Sequence, residues 1–308
     1  MARKPRGQKV DGWLVIDKPG GITSTTVVNR VRRQLDAAKA GHAGTLDPIA
    51  TGILPIAFGE ATKTVPYLVD ATKRYRFQVA WGEERSTDDR EGTVTASSPA
   101  RPGEAAIRAA LAPFHGWIEQ TPPRYSAVKI DGQRAYDLAR ANEPMELAPR
   151  AVRIDAFELD AMPDPDHADF LVTCGKGAYM RALARDLARA LGTCGHIAEL
   201  RRLSVGPFDE SRAISLDSFA ALGQVSAAFA HLLPIETALD DIPALALTGT
   251  EAVRLRSGQA VPLFRRGDLE RLGDLADGDL LRAHAAGKLV AVVRFEQGRL
   301  CPVRVLNL

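Results

Sequence analysis

Residues 12–17 (GWLVID) form an apolar run that breaks at Lys18-Pro19-Gly20-Gly21, the pattern of a strand entering a turn. Thr23 or Ser24 can cap a helix after it, in which Val27, Val28, Val31 and Leu35 recur at helical spacing while Arg30, Arg32 and Arg33 fall outside the stripe. Residues 53–58 read as buried, and 60–69 as a short helix disturbed by Pro66. Residues 73–81 alternate: Tyr75, Phe77, Val79 and Trp81 share one face and Arg74, Arg76 and Gln78 the other, as in a half-buried strand. A polar loop is expected over 83–92, a helix over 104–114, and two strands over 150–159 and 168–174 around the Asp164-Pro165-Asp166 turn. The helix predicted over 178–191 turns Met180, Leu183, Ala184, Leu187 and Leu191 to one side. Arg201 and Arg202 precede a short strand ending at Gly206-Pro207. From Leu245 onward the elements shorten to a helical turn over 252–256 and strands over 279–284, 289–295 and 300–306, joined at Gly278, Gly287 and Gly298. A compact β-rich unit of about sixty residues fits this pattern.

Composition narrows the class. A chain of 308 residues exceeds one average domain, so two are expected. With 45% hydrophobic residues it can bury a sizeable core. No apolar run approaches the roughly 18 residues of a membrane helix, and MARKPRGQK lacks the features of a secretory signal. Cys174, Cys194 and Cys301 are odd in number, widely spaced and outside any C-x-x-C pair, which suggests reduced thiols in the cytoplasm and no zinc site. A net charge of +2 does not advertise a polyanion partner, so a nucleic-acid surface has to come from how the charges are sorted. No P-loop, dinucleotide fingerprint or H-E-x-x-H motif is present.

Three stretches carry candidate chemistry. The first is GHAGTLDPIATGILPIAFGEATK from Gly41 to Lys63, in which glycines free the backbone and Pro48 pushes Asp47 toward an extended conformation. Asp47 then lies among apolar Leu46, Ile49, Ile53 and Leu54. It is either a nucleophile or base at the edge of a dry cavity, or the cap of a short helix with Pro48 at its first position. The second, 120–136, interleaves Arg124, Lys129 and Arg134 with Tyr125 and Tyr136, which suits looped RNA as well as a solvated hairpin. The third is the ridge Arg181, Arg185 and Arg189, able to face phosphates. Arg181 also sits in a helix's first turn, where the dipole disfavours a cation and an anionic partner offsets it. A pairing with Asp47 through two hydrogen bonds is one such arrangement.

With these residues the chain resembles the bacterial tRNA pseudouridine synthase B family: KPGGITS from Lys18, GHAGTLDPIATGILP from Gly41, KRYRF from Lys73, PPRYSAVK from Pro122, GKGAYMRALARDL from Gly175, and a C-terminal unit similar to a PUA domain. The resemblance implies isomerisation of uridine to pseudouridine at position 55 in the T-loop of tRNA, with base flipping and an essential aspartate, and without cofactor or metal. It maps that aspartate onto Asp47, with Tyr75 and Arg181 as catalytic partners. His42, Lys18, Tyr179, Lys129 and Leu200 become contacts to the substrate. The implied fold is α+β: a catalytic domain over 1–244 with a mixed, largely antiparallel sheet flanked by helices, an RNA-gripping insertion at about 120–146, and a β-barrel PUA-like domain over 245–308. Arg85-Ser86-Thr87 and Cys174-Gly175 depart from the family pattern. The implied partner is the T-arm of tRNA, with no membrane, no obligatory protein partner and a monomeric state. A chain ending near Asp241 is expected to keep the chemistry and bind tRNA more weakly. The family's reaction needs a carboxylate that adds to the uracil ring, attacks C1′ or takes the C2′ proton, and these paths stay open. The other reading is an RNA-binding tRNA folding factor whose isomerase activity is secondary or lost.

Overall fold

The computed structural model describes residues 7–126, 128–130, 133–134, 147–223, 225–263 and 275–308. The apolar run after the N-terminus becomes β1 (Gly12–Lys18), followed by α1 (Ser24–Gln34), whose N-cap is Thr23: its hydroxyl accepts the Thr26 N–H at 3.1 Å. β2 (Ala40–His42) and β3 (Thr51–Phe58) flank the loop that holds Asp47. A 3₁₀ turn (Gly59–Lys63) and α2 (Val65–Asp70), with Pro66 in its first turn, divide what the sequence presents as one disturbed helix. β4 (Lys73–Trp81) leads into a hairpin of β5 (Glu83–Arg85) and β6 (Val94–Ser97), where only a polar loop was expected. Then come α3 (Glu104–Ala110), β7 (Gly116–Gln120), the short pair β8 (Lys129–Ile130) and β9 (Gln133–Arg134), β10 (Arg150–Asp164), β11 (His167–Cys174) and α4 (Met180–Ala190). Most of the expected insertion, Tyr136 included, lies outside the described residues.

β12 (Gly195–Val205) corrects the expectation of a short strand after Arg201-Arg202: it is eleven residues long and contains both arginines. It is parallel to β3 and antiparallel to β4, and so joins the two halves of the main sheet. With β13 (Phe208–Asp209) and β14 (Ala213–Ser215) that sheet runs β14-β1-β3-β12-β4-β11-β10-β7, β13 pairing β12 and β2 pairing β3. It is mixed and largely antiparallel, with β1–β14 and β3–β12 as parallel pairs. Two short helices, α5 (Leu216–Ala221) and α6 (Val225–Phe229), and a 3₁₀ turn (Ile235–Leu239) end this unit.

The C-terminal unit is a second sheet, ordered β15-β17-β18-β19-β16: β15 (Ala244–Ala246), β16 (Val261–Pro262), β17 (Leu280–Ala285), β18 (Lys288–Glu296) and β19 (Arg299–Val305), with α7 (Gly249–Arg256) between the first two. The whole is an α+β fold with a PUA-like C-terminal unit. Period-two alternation in β1 sends Leu14 and Ile16 into the core under α1 and α4, and Trp13 and Val15 into a second cluster on the other face.

Candidate active site

Between β2 and β3 the Asp47 loop forms no helix, so the capping role for Asp47 does not arise. Polar contacts from several elements fix it. Ser24 Oγ at the start of α1 donates to Leu46 O at 3.0 Å and accepts the Leu46 N–H at 2.9 Å. Lys18, fully buried, donates from Nζ to Pro19 O, Ile22 O and Pro48 O at 2.9, 2.8 and 3.2 Å. Burial lowers this lysine to about 8, although the Asp47 charge pulls the other way. Its three donors are thus engaged by backbone, which makes Lys18 a positioning residue for the loop. Arg202, also buried, donates from Nε to Ile53 O at 2.7 Å and from Nη2 to Gly44 O at 3.1 Å. Gly44 has φ +83°, and a Cβ there would stand 3.2 Å from the Arg202 guanidinium.

The Asp47 side chain remains 36% exposed, while Arg181 beside it is 4% exposed. Arg181 Nε donates to Asp47 Oδ2 at 2.9 Å. Its Nη1 donates to Thr87 O at 2.8 Å and its Nη2 to Tyr125 O at 2.9 Å, and Asp89 Oδ2 lies 3.7 Å from Nε. The expected partnership exists, but through one hydrogen bond; the rest of the guanidinium fork holds two carbonyls. The helix dipole's penalty on a first-turn cation is offset by Asp47 and Asp89 together. The arginine ridge is not a phosphate face. Arg185 is buried against Asp88, and Arg189 pairs with Glu84 at 2.6 Å.

Tyr75, on the core face of β4, is half-buried and pairs in register with Arg202 of β12. Burial raises its phenol above the ordinary value, while Arg202, also hydrogen-bonded to it, pulls it down. His42 ends β2 half-buried, its Nδ1 without a hydrogen-bond partner among the described residues. Burial and the Arg202 charge lower its imidazole, so the ring is neutral at physiological pH. Tyr179 precedes α4, with its N–H and C=O both bonded to the Gln120 amide. Burial raises its phenol too. The Asp47 charge acts on Lys18, Tyr75 and Tyr179, which places these groups around one centre. Leu200 is buried in the core beside this part of β12, and its carbonyl accepts from Thr51 Oγ1 at 3.4 Å. Lys129 stands in β8, with its side chain outside what the structure describes.

Sequence reasoning missed Asp88, Asp89 and Arg202. The acidic pair stood in a stretch read as a polar loop, and Arg202 was placed with Arg201 ahead of a short strand rather than within one. The available signal was the glycine pattern: Gly52, with φ +98°, leaves no room for a Cβ, which would fall 2.2 Å from Arg202 O. Among the described residues no group of three or more His, Cys, Asp or Glu converges as metal ligands would. Nor is any described helix long and apolar enough to cross a membrane.

Residues 32–180 match the model of the TruB family pseudouridylate synthase N-terminal domain, and 181–240 that of the tRNA pseudouridylate synthase B C-terminal domain. The chain is 56% identical over 308 residues to a tRNA pseudouridine synthase B of Rhodospirillum rubrum, covering 100% of both, and 54% identical to that of Gluconacetobacter diazotrophicus, covering 99% and 100%. Among solved structures it is similar to a Cbf5-Nop10-Gar1 complex, at TM-score 0.71 and 25% identity, covering 96% of this chain and 84% of the other. An H/ACA RNP bound to a substrate RNA containing 2′-deoxyuridine shares the fold at TM-score 0.71 and 22% identity, covering 100% and 92%.

Proposed function

The chain belongs to the TruB family of pseudouridylate synthases, and we propose that it acts on uridine 55 in the T-loop of tRNA with Asp47 as its catalytic carboxylate. It is a tRNA pseudouridine synthase, an isomerase of uridine to pseudouridine. The observation that carries the residue assignment is the ion pair between buried Arg181 and partly exposed Asp47, 2.9 Å apart. The hydrogen bond fixes the direction of that carboxylate. The other face of Asp47 is left to the substrate.

The reaction detaches uracil from C1′, turns it and rejoins it through C5, so the target nucleotide has to leave the stack. Asp47 is the group that attacks or takes a proton and then departs. Tyr75 offers its ring to the flipped base; burial raises the phenol, so stacking rather than proton abstraction is its role. His42, as a neutral imidazole with an open Nδ1, fills the gap left by the extruded base. Tyr179 and Leu200 line the base site, Lys18 holds the aspartate loop, and Lys129 grips RNA from the insertion. The PUA-like unit extends that grip. The chain works as a cytoplasmic monomer without a partner protein, a reading supported by its full-length match to the bacterial relatives. An intact Arg181–Asp47 pair speaks against a folding factor that has lost turnover. The test is to treat an unmodified tRNA transcript with the purified chain and map its pseudouridines. One new pseudouridine at position 55, and none in a transcript with cytidine there, is expected. Conversion elsewhere, or none, overturns the proposal.

A further inference from the structure

Arg181 and Arg185 stand one turn apart on α4 and make the same pair of attachments. Arg181 reaches Thr87 O with Nη1 and Tyr125 O with Nη2. Arg185 reaches the next residue of the same loop, Asp88, with Nη1 to Oδ2 at 3.0 Å, and the same downstream segment, Thr121 O, with Nη2 at 2.9 Å. Arg185 and Asp88 are both buried. Asp88 has φ +59°, in the left-handed region that Asp and Asn tolerate better than most residues. Its own backbone is tied at both ends, the N–H to Arg85 O at 2.9 Å and the carbonyl to Ile197 N–H of β12 at 3.1 Å.

We propose that Arg185 and Asp88 are a positioning pair for the isomerisation: they clamp the loop carrying Thr87 and the segment carrying Tyr125 onto α4, so that both carbonyls orient Arg181 toward Asp47. This rests on the reading of Arg181 and Asp47 given above. Burial holds the Asp88 carboxyl up at about 6, against an ordinary 3.8, so the folded chain binds that proton more tightly than the unfolded chain does. Stability from this group is therefore lost as pH rises from about 4 through 6, and the ionised pair is carried at a cost. The charges acting on Asp88 are Arg185 and Arg181, which favour its ionised form, and Glu84 of β5, which opposes it. Arg189, also on α4, feels the Asp88 charge, and Asp186 holds Arg185 Nε at 2.8 Å. From β12, His196 bonds Glu83 O and is held below the usual imidazole range by burial and Arg85, so it adds no charge near neutrality. On the downstream segment, Arg124 is exposed.

The experiment compares wild type, Asp88→Asn, Arg185→Met and the double variant by kcat and KM for tRNA from pH 5 to 8.5, with melting temperature alongside. Wild-type turnover at position 55 tests the assigned reaction separately. Asp88→Asn should keep or raise the melting temperature, lower kcat about fivefold with KM within twofold, and lose the part of the acid limb near pH 6. Arg185→Met should lower kcat about tenfold or more, and the double variant should fall no further, because the same clamp is already open. Should Arg185→Met fail to fold, Asp88→Asn decides alone. Wild-type kcat and pH profile in Asp88→Asn, a loss confined to KM, or a fall in melting temperature that tracks the fall in activity would overturn the proposal.

Discussion

The carboxylate of Asp47 projects from a loop whose backbone is fixed by Ser24, Lys18 and Arg202, so a substitution that preserves shape isolates its charge. Asp47→Asn should reduce turnover by about 10⁴-fold or more while tRNA still binds, since most affinity comes from phosphate contacts elsewhere. Single-turnover kinetics beside a filter-binding assay checks this; turnover within about tenfold of wild type excludes Asp47 from the chemistry. Arg181→Met should cut kcat roughly 10²-fold, as expected for a reacting group released from its orientation, with KM little changed. Arg181→Lys should recover only part of the rate, because one ammonium cannot span Asp47, Thr87 O and Tyr125 O as the planar guanidinium does. A rise in KM with kcat intact would instead make Arg181 a phosphate contact. The Arg181–Asp47 pairing was legible in the sequence because a first-turn cation asks for an anion. Its single-bond geometry was not, since that depends on two carbonyls brought in from loops far along the chain.

Among the elements, the strands that alternate and the helices with one apolar stripe were legible: β4 and α4 turn the predicted side chains inward. β12 was not, because a buried arginine breaks the pattern on which recognition of a strand depends. Arg202 is tolerated there because carbonyls of Gly44 and Ile53 and the Tyr75 hydroxyl satisfy its donors. The close approach of β3 to β12 is what this arrangement needs, and Gly52 permits it. Gly52→Ala would place a Cβ 2.2 Å from Arg202 O on a backbone with φ +98°. Overpacking and left-handed strain together make a loss of about 3 kcal/mol or more the expected result, read by denaturant unfolding. Because the same strands carry the aspartate loop and Arg202, the residual folded fraction should also turn over more slowly. Unchanged stability would mean that the β3–β12 junction is more open than described.

At the level of the whole molecule, the second apolar cluster does not respect the boundary that the change in sequence texture suggests. Trp13, Val15, Ile53, Phe208 and Leu239 of the first unit are buried together with Leu289, Val292 and Leu306 of the C-terminal unit. Polar contacts cross at the same place: Lys63 Nζ donates to Val305 O at 2.8 Å, the Asn307 N–H to Glu60 Oε2 at 2.6 Å, and Lys9 Nζ to Asn307 O at 2.8 Å. The expectation that a chain ending near Asp241 keeps its chemistry therefore has to be revised. Such a cut removes Leu289, Val292 and Leu306 and uncovers one face of β1 and β3, the strands that flank the aspartate loop. Each large apolar side chain left without cover forfeits about 1.5–3 kcal/mol, against a total folding margin of about 5–15 kcal/mol. The truncated chain should melt several degrees lower, bind a hydrophobic dye and lose kcat along with affinity. The full chain should unfold in a single calorimetric transition that reports both units at once. Two resolved transitions, with the truncated chain folded and its kcat at saturating tRNA intact, would instead show a C-terminal unit that serves as a separable grip.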